Sequence, residues 1–219
     1  VLSNHDLNRH VTRYDRHPND AVAKITAALL LTLRGTPFLY YGEELGLPDT
    51  KLTRSQIVDP PGLRFWPLYK GRDPARCPMP WNASANGGFT SGNPWLPLYS
   101  GFKERNASVQ QKDPHSVWSF YNQLLKIRRG SPALSSGSYH SLNNSSRKGM
   151  AYQRTAGDEK AVIALNFTRK QITLNLNAIL PQDGWDCSLS SLPAPSAEIQ
   201  GTRISLGPYE AAVWLHKAS

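Results

Sequence analysis

Three places in this 219-residue sequence gather side chains able to do chemistry. Near the start, Asn4-His5-Asp6 follows an extended apolar opening and precedes Arg9 and Arg13. A carboxylate beside an imidazole can move a proton or steady a charge, and α/β barrels place such groups just past a strand's C-terminal end. The same residues can serve as a helix cap or a surface ion pair, and a His-Asp pair alone decides nothing. Glu43-Glu44 lies just past a second apolar run. Adjacent strand ends would bring a further carboxylate near Asp6, as an acid–base pair requires. The plainer reading makes one Glu a buried scaffold partner for a nearby Arg. The third place is Arg72-Asp73-Pro74-Ala75-Arg76-Cys77-Pro78-Met79-Pro80-Trp81. Arg can fork onto a carboxylate or onto hydroxyls, and Trp offers a flat apolar face. Loop anchoring fits that composition equally well, and Trp81 and Trp95 are expected in the core.

Several classes are excluded. The net charge is +9, from 25 basic and 16 acidic residues. The excess lies mostly in the first 130 residues and is scattered. Its densest cluster, Lys126, Arg128 and Arg129, ends a predicted helix, where cations complement the helix dipole. No basic stripe interleaved with aromatics is present, so no nucleic-acid partner is expected. No run reaches the ~18 apolar residues of a membrane span, and no membrane partner is expected. His5 and His10 lack metal-ligand spacing, and Cys77 and Cys187 stand far apart and near no His pair. No metal and no cofactor is expected, and both cysteines are read as free thiols.

Asn or Asp at 19–20, followed by Val22, Ile25, Ala28, Leu29 and Leu33, predicts a well-buried helix over residues 19–33. After Gly35, residues 36–42 read as a short buried strand of a parallel sheet. Residues 43–112 are rich in Pro, Gly, Asn and Trp, and read as ordered loop with short helices. Asp113 as N-cap and Pro114 at the first position open a second helix, ended by Gly130 and Pro132. Beyond residue 132 short alternating runs at 151–154, 161–167, 171–176, 203–206 and 211–215 predict an antiparallel β-sandwich.

In combination these motifs resemble glycoside hydrolase family 13, the α-amylase family. The resemblance rests on Asn4-His5-Asp6-Leu7-Asn8-Arg9 followed by Gly35-Thr36-Pro37-Phe38-Leu39-Tyr40-Tyr41-Gly42-Glu43-Glu44-Leu45-Gly46. Asp59-Pro60-Pro61-Gly62-Leu63-Arg64-Phe65-Trp66-Pro67, Gly71-Arg72-Asp73, Arg76 to Trp81, and Gly88-Phe89-Thr90-Ser91-Gly92 with Pro94-Trp95-Leu96-Pro97 are similar to its exo-acting bacterial α-glucosidase and oligo-1,6-glucosidase branch. Gly207-Pro208-Tyr209-Glu210-Ala211 to Trp214 resembles the last strand of its C-terminal domain.

The resemblance implies an α/β fold: the C-terminal part of a (β/α)8 barrel over residues 1–131, then an antiparallel all-β domain over 132–219. It implies a retaining exo-acting α-glucosidase acting on short α-glucoside oligosaccharides. The family uses an Asp nucleophile, a Glu acid/base and a second Asp that favours the oxocarbenium-like transition state. By that correspondence only the last is present, as Asp6, with His5 and Arg76 binding substrate. Cys77 replaces the family's usual Thr. The nucleophile and acid/base are expected in an earlier barrel segment or a complementary subunit, and the chain alone is expected to be catalytically incomplete. Alternatives are a trehalose synthase-like transglucosidase and the non-catalytic ectodomain of an amino-acid-transporter heavy subunit. Sequons at Asn82, Asn106, Asn143, Asn144 and Asn166 would suit a secreted protein, against the expected cytoplasmic location.

Overall fold

The computed structural model describes residues 1–14, 19–143, 147–181 and 184–217. In chain order they form α1 (His10–Tyr14), α2 (Asp20–Thr32), α3 (Pro60–Arg64), α4 (Ala107–Gln110), α5 (Val117–Gly130) and α6 (Pro132–Ser135). Then come β1 (Ser138–Ser141), β2 (Gly149–Ala156), β3 (Glu159–Asn166), β4 (Ile172–Asn175), β5 (Asp186–Ser190), β6 (Glu198–Gln200), β7 (Arg203–Leu206) and β8 (Ala211–Lys217). Two compact units result: Val1–Ala23 with Phe38–Ser119, and Lys24–Pro37 with Phe120–Ser219.

The second unit is built on two antiparallel sheets, β1-β2-β3-β8-β5 and β4-β7-β6. Side chains alternate along a strand, so Ala151, Val162, Ala164, Ala212 and Trp214 of the larger sheet share a core with Leu174, Ile204 and Leu206 of the smaller. The central strand β3 is buried on both faces, Ala161, Ile163 and Leu165 included. Tyr152 bonds through its hydroxyl to that of Thr32. The fully buried Arg154 donates to the carbonyls of Thr32, Gly137 and Ser138. A buried cation costs heavily unless it is paired or hydrogen-bonded, and here one backbone oxygen accepts from each of its three nitrogens. Arg128 bonds the carbonyls of Leu31 and Gly35 at 2.6 and 2.9 Å, across the open C-terminal end of α2. Its cation therefore complements the end of a neighbouring helix as well as its own. Glu210 is wholly buried and accepts from the Ser190 and Ser196 hydroxyls and the Ser196, Ala197 and Gly207 amides. It fastens the connection after β5 to the turn before β8.

Helix ends depart from the sequence reading at one point. Asn19 caps α2 as expected, accepting the Val22 amide at 3.0 Å. Asp113 does not cap α5. Its side chain accepts the His115 amide in a local turn, and the Ser116 hydroxyl accepts the Ser119 amide instead. Asp competes for nearby backbone donors in this way, which delays the helix by one turn.

The first unit differs from expectation more. Among its described residues no strand forms beyond an isolated bridge of Asn4 with Leu7. Residues 36–42, expected as a buried strand, have no ladder partner, and Phe38 is 63% exposed. A strand is defined by its neighbour, and no other extended segment of the unit pairs with this one. The loop over residues 43–112 is ordered by 3₁₀ turns at Glu43–Leu45, Arg54–Gln56, Asp73–Ala75 and Ala85–Gly88 and by α3 and α4. Small clusters pin it: Leu45, Leu47, Met79 and Ala107 in one, Leu52, Ile57, Cys77 and Leu96 in another.

Asn106, Asn143 and Asn166 are buried and hydrogen-bonded, so they cannot carry a glycan. Asn82 is partly covered, and Asn144 lies outside the described residues. Both cysteines are free thiols, Cys77 buried and Cys187 exposed. Among the described residues no helix is long and apolar enough to cross a membrane.

Candidate active site

Asn4 shapes the turn that carries His5 and Asp6. Its side-chain oxygen accepts the Asp6 amide at 2.8 Å, and its carbonyl meets the Leu7 amide. This is the local bonding Asn favours, and it leaves the next two side chains at the apex of the turn. His5 is 69% exposed and Asp6 half exposed, with Nε2 of His5 at 3.1 Å from Oδ2 of Asp6.

Arg76 reaches this apex from 70 residues away. Its Nε donates to the His5 carbonyl at 2.8 Å and its Nη2 to Oδ1 of Asp6 at 3.1 Å. Arg72 approaches the same Oδ1 through Nη1 at 3.5 Å. The structure thus brings His5, Asp6 and Arg76 together, and adds Arg72, which the sequence places in the polar segment that also carries Arg76 but does not assign to the site. Its signal was the Gly71-Arg72-Asp73 motif. One half-exposed carboxylate faces two guanidinium groups and an imidazole, which fixes its orientation and leaves it reachable from solvent.

A second layer holds these arginines. Asp59 is buried and binds Arg72 through its backbone amide, Nε and Nη2, the last at 2.6 Å. Arg72 hydrogen bonding holds the Asp59 carboxyl below the usual aspartate range. Gly71 makes this possible: at φ +75 a Cβ would sit 2.6 Å from Oδ2 of Asp59. Buried Asp73 accepts the amides of Val58 and Asp59 at 2.7 and 2.8 Å.

Arg9, 2% exposed, ties the three segments together. Its amide bonds Asp49 at 2.9 Å, and its guanidinium bonds the Tyr41 and Ala75 carbonyls at 2.6 and 3.0 Å. That guanidinium also lies 5.1 and 4.8 Å from the Tyr40 and Tyr41 ring centres. The Tyr41 hydroxyl donates to the Cys77 carbonyl at 2.8 Å. Gly42 turns the chain at φ +84, where a Cβ would meet Leu47 and Arg9 within 2.8 Å.

The glutamates after Gly42 divide. Glu43 is buried and lies 3.5 Å from Nδ1 of buried His10, which is also 3.1 Å from the Ser3 hydroxyl. Its partner is therefore a histidine, not the arginine expected of a scaffold role. Glu44 is partly buried, and that burial raises its pKa. Neither reaches Asp6. Trp81 and Trp95, expected in the core, are 52% and 61% exposed. Among the described residues no three His, Cys, Asp or Glu side chains gather as metal ligands.

The Asp59–Arg72 pair makes a testable link between site and stability. A lowered native pKa means that its stabilisation is present above the unfolded aspartate value of about 3.9 and is lost as pH falls through the native value. Asp59→Asn is expected to cost about 1–3 kcal/mol at pH 7, since Arg72 is partly exposed. Urea unfolding at pH 7 and near pH 2.5 checks this: the deficit should shrink at the lower pH. A deficit equal at both values would contradict the ion-pair account.

The family model described as "Alpha amylase, catalytic domain" matches residues 1–137. A probable α-glucosidase of Rhizobium meliloti is 39% identical over 178 residues, covering 80% of this chain and 32% of the relative. An oligo-1,6-glucosidase of Parageobacillus thermoglucosidasius is 30% identical over 233 residues, covering 97% of this chain and 41% of the relative. Among solved structures, an α-glucosyl transfer enzyme, XgtA, superposes with TM-score 0.86 at 33% identity, over 98% of this chain and 39% of that one. The trehalulose synthase MutB of Pseudomonas mesoacidophila does so with TM-score 0.82 at 33% identity, over 99% and 42%. The chain spans well under half the length of these relatives.

Proposed function

This chain belongs to the α-amylase family, glycoside hydrolase family 13, and on that premise we propose that it is the C-terminal part of a retaining, exo-acting α-glucosidase. Its fold is the later portion of the family's (β/α)8 barrel followed by an antiparallel β domain. The observation that carries the reading is the Asp6 cluster: an accessible carboxylate held by Arg76, Arg72 and His5 on one turn.

In this reading Asp6 accepts hydrogen bonds from two hydroxyls of the non-reducing glucose unit. As the ring gains oxocarbenium character, those hydroxyls become better donors and the carboxylate binds them more strongly. His5 donates to a neighbouring hydroxyl, and Arg76 closes the pocket at the chain end. The nucleophile and acid/base come from the preceding barrel segment or a complementary subunit. Phe38, Leu39 and Tyr41 are exposed in succession, a surface such a segment would cover. A transglucosidase is the second reading, favoured by the transfer enzyme and trehalulose synthase among the structural relatives. Both readings place Asp6 in the same role.

The test is a hybrid in which residues 1–219 replace the matching stretch of the Parageobacillus oligo-1,6-glucosidase. Incubated with maltotriose and isomaltotriose, it should release glucose singly from the non-reducing end. Release of internal fragments, or cleavage with inversion at the anomeric carbon, would contradict the proposal.

A further inference from the structure

A buried polar cluster lies behind the turn that carries Asp6, and the catalytic reading makes no use of it. Ser3, His10 and Glu43 are each 1% exposed. The Ser3 hydroxyl accepts the His10 amide at 2.9 Å and lies 3.1 Å from Nδ1 of the same residue. Ser3 and His10 thus clamp the two ends of the segment whose apex is His5 and Asp6, with the Asn4–Leu7 bridge between clamp and apex. Glu43 stands against the clamp from another segment, 3.5 Å from Nδ1. Its own turn is closed on both sides. The Glu43 amide donates to the Tyr40 carbonyl at 3.0 Å, and the Gly46 amide donates to the Glu43 carbonyl at 2.9 Å.

The geometry sets aside two readings of a Ser, a His and a Glu in contact. A nucleophilic triad places the Ser and the acid on opposite nitrogens of the imidazole. Here both meet Nδ1, and the hydroxyl is buried. Plain stabilisation fits no better. Neither Glu43 oxygen nor Nε2 of His10 has a hydrogen-bond partner among the described residues. A buried carboxylate without donors costs stability, and apolar side chains of similar volume would fill the same space better. The chain carries that cost at the base of the one turn that presents Asp6.

We infer that His10, backed by Ser3 and Glu43, is a positioning residue for Asp6. The inference rests on the reading of Asp6 as the carboxylate that steadies the sugar. Arg76 and Arg72 orient that carboxylate from the apex, but all three side chains are partly exposed. The backbone that carries Asp6 is placed from the other end, by the buried clamp. A displacement of ~1 Å at a reacting centre is enough to cost about 10²-fold in rate. The effect falls on kcat, because the bonds from the sugar hydroxyls to Asp6 strengthen in the transition state.

The experiment is a double-mutant cycle in the hybrid enzyme, read as kcat and KM on p-nitrophenyl α-glucoside with thermal midpoints alongside. His10→Leu should lower kcat by about 10–100-fold and change KM far less. In the Asp6→Asn background the same change should cost no more than about twofold further, since a residue acting through Asp6 has nothing left to position. His10→Asn keeps an amide where Nδ1 stood and should recover most of the activity. Because His10→Leu strands the Glu43 carboxylate and could weaken folding, His10→Leu combined with Glu43→Leu serves as the second variant. It should keep the wild-type thermal midpoint and still show the kcat loss. Wild-type kcat in that folded variant would overturn the inference. So would losses that multiply in the Asp6→Asn background, which mark a general effect on the fold. Near wild-type turnover of Asp6→Asn alone would instead overturn the reading of Asp6, and this inference with it, so the two failures are told apart.

Discussion

Replacing Asp6 by Asn is expected to lower kcat on an α-glucoside by about 10²–10³-fold. The thermal midpoint should hardly move. Asp6 is half exposed at the apex of a turn, so no core packing is lost with its charge. The turn is held by Asn4 and by the Asp6 amide, both kept in the variant. What changes is the group facing the sugar. An Asn of the same size presents one oxygen and one NH₂ where the carboxylate presents two acceptors. That NH₂ also competes with the guanidinium donors of Arg72 and Arg76 for space and orientation. Acceptors that gain strength as charge develops act on kcat more than on binding, so KM should change far less. The measurement is steady-state hydrolysis of p-nitrophenyl α-glucoside by the hybrid enzyme. Turnover within about threefold of wild type would remove Asp6 from the mechanism.

The second large effect is an absence: residues 1–219 alone are expected to show no glycosidase turnover. Double displacement needs a nucleophile and an acid/base about 5 Å apart. Apart from Glu44 and Glu104, the other described carboxyls of the first unit are committed elsewhere. Asp59 is buried against Arg72, and Asp73 accepts two backbone amides. Asp49 binds the Arg9 amide and the Asn8 side chain, and Asp20 binds Arg105. Asp113 closes a turn, and Glu43 is buried beside His10. Glu44 is the strongest rival, since burial raises its pKa and would keep it protonated longer, as a general acid requires. Purified chain assayed with maltose and p-nitrophenyl α-glucoside decides this. Turnover abolished by Glu44→Gln or Glu43→Gln would show that the carboxylates are wrongly assigned.

How far the sequence disclosed this molecule depends on where each signal resides. The alternating runs at 151–154, 161–167, 171–176, 203–206 and 211–215 all lie in or alongside observed strands, because each packs at least one face in the core. Strand β1, exposed at all four positions, carries no such pattern and went unread. Residues 36–42 show the opposite failure. Their composition is that of a strand, but pairing is a property of two segments, and composition reports only one. Trp95 was expected inside because it is large and apolar. Its neighbour Leu96 takes the core position, and the bend that carries both leaves the indole outward. At the candidate site, Asn4 announces its own turn, whereas the 70-residue reach from Arg76 to Asp6 has no local signature. Only the family motifs linked those positions in advance, and the geometry then added Arg72 between Asp6 and Asp59.

The central claim is that this chain carries a carboxylate that steadies the sugar and not the one that attacks it. Trapping the glycosyl–enzyme intermediate tests that most directly. The hybrid would be treated with 5-fluoro-α-glucosyl fluoride, whose slow release lets the covalent ester accumulate, then digested and mapped by mass spectrometry. The glycosyl mass should fall on a peptide outside residues 1–219. A label on Asp6, or on Glu43 or Glu44, would contradict the account.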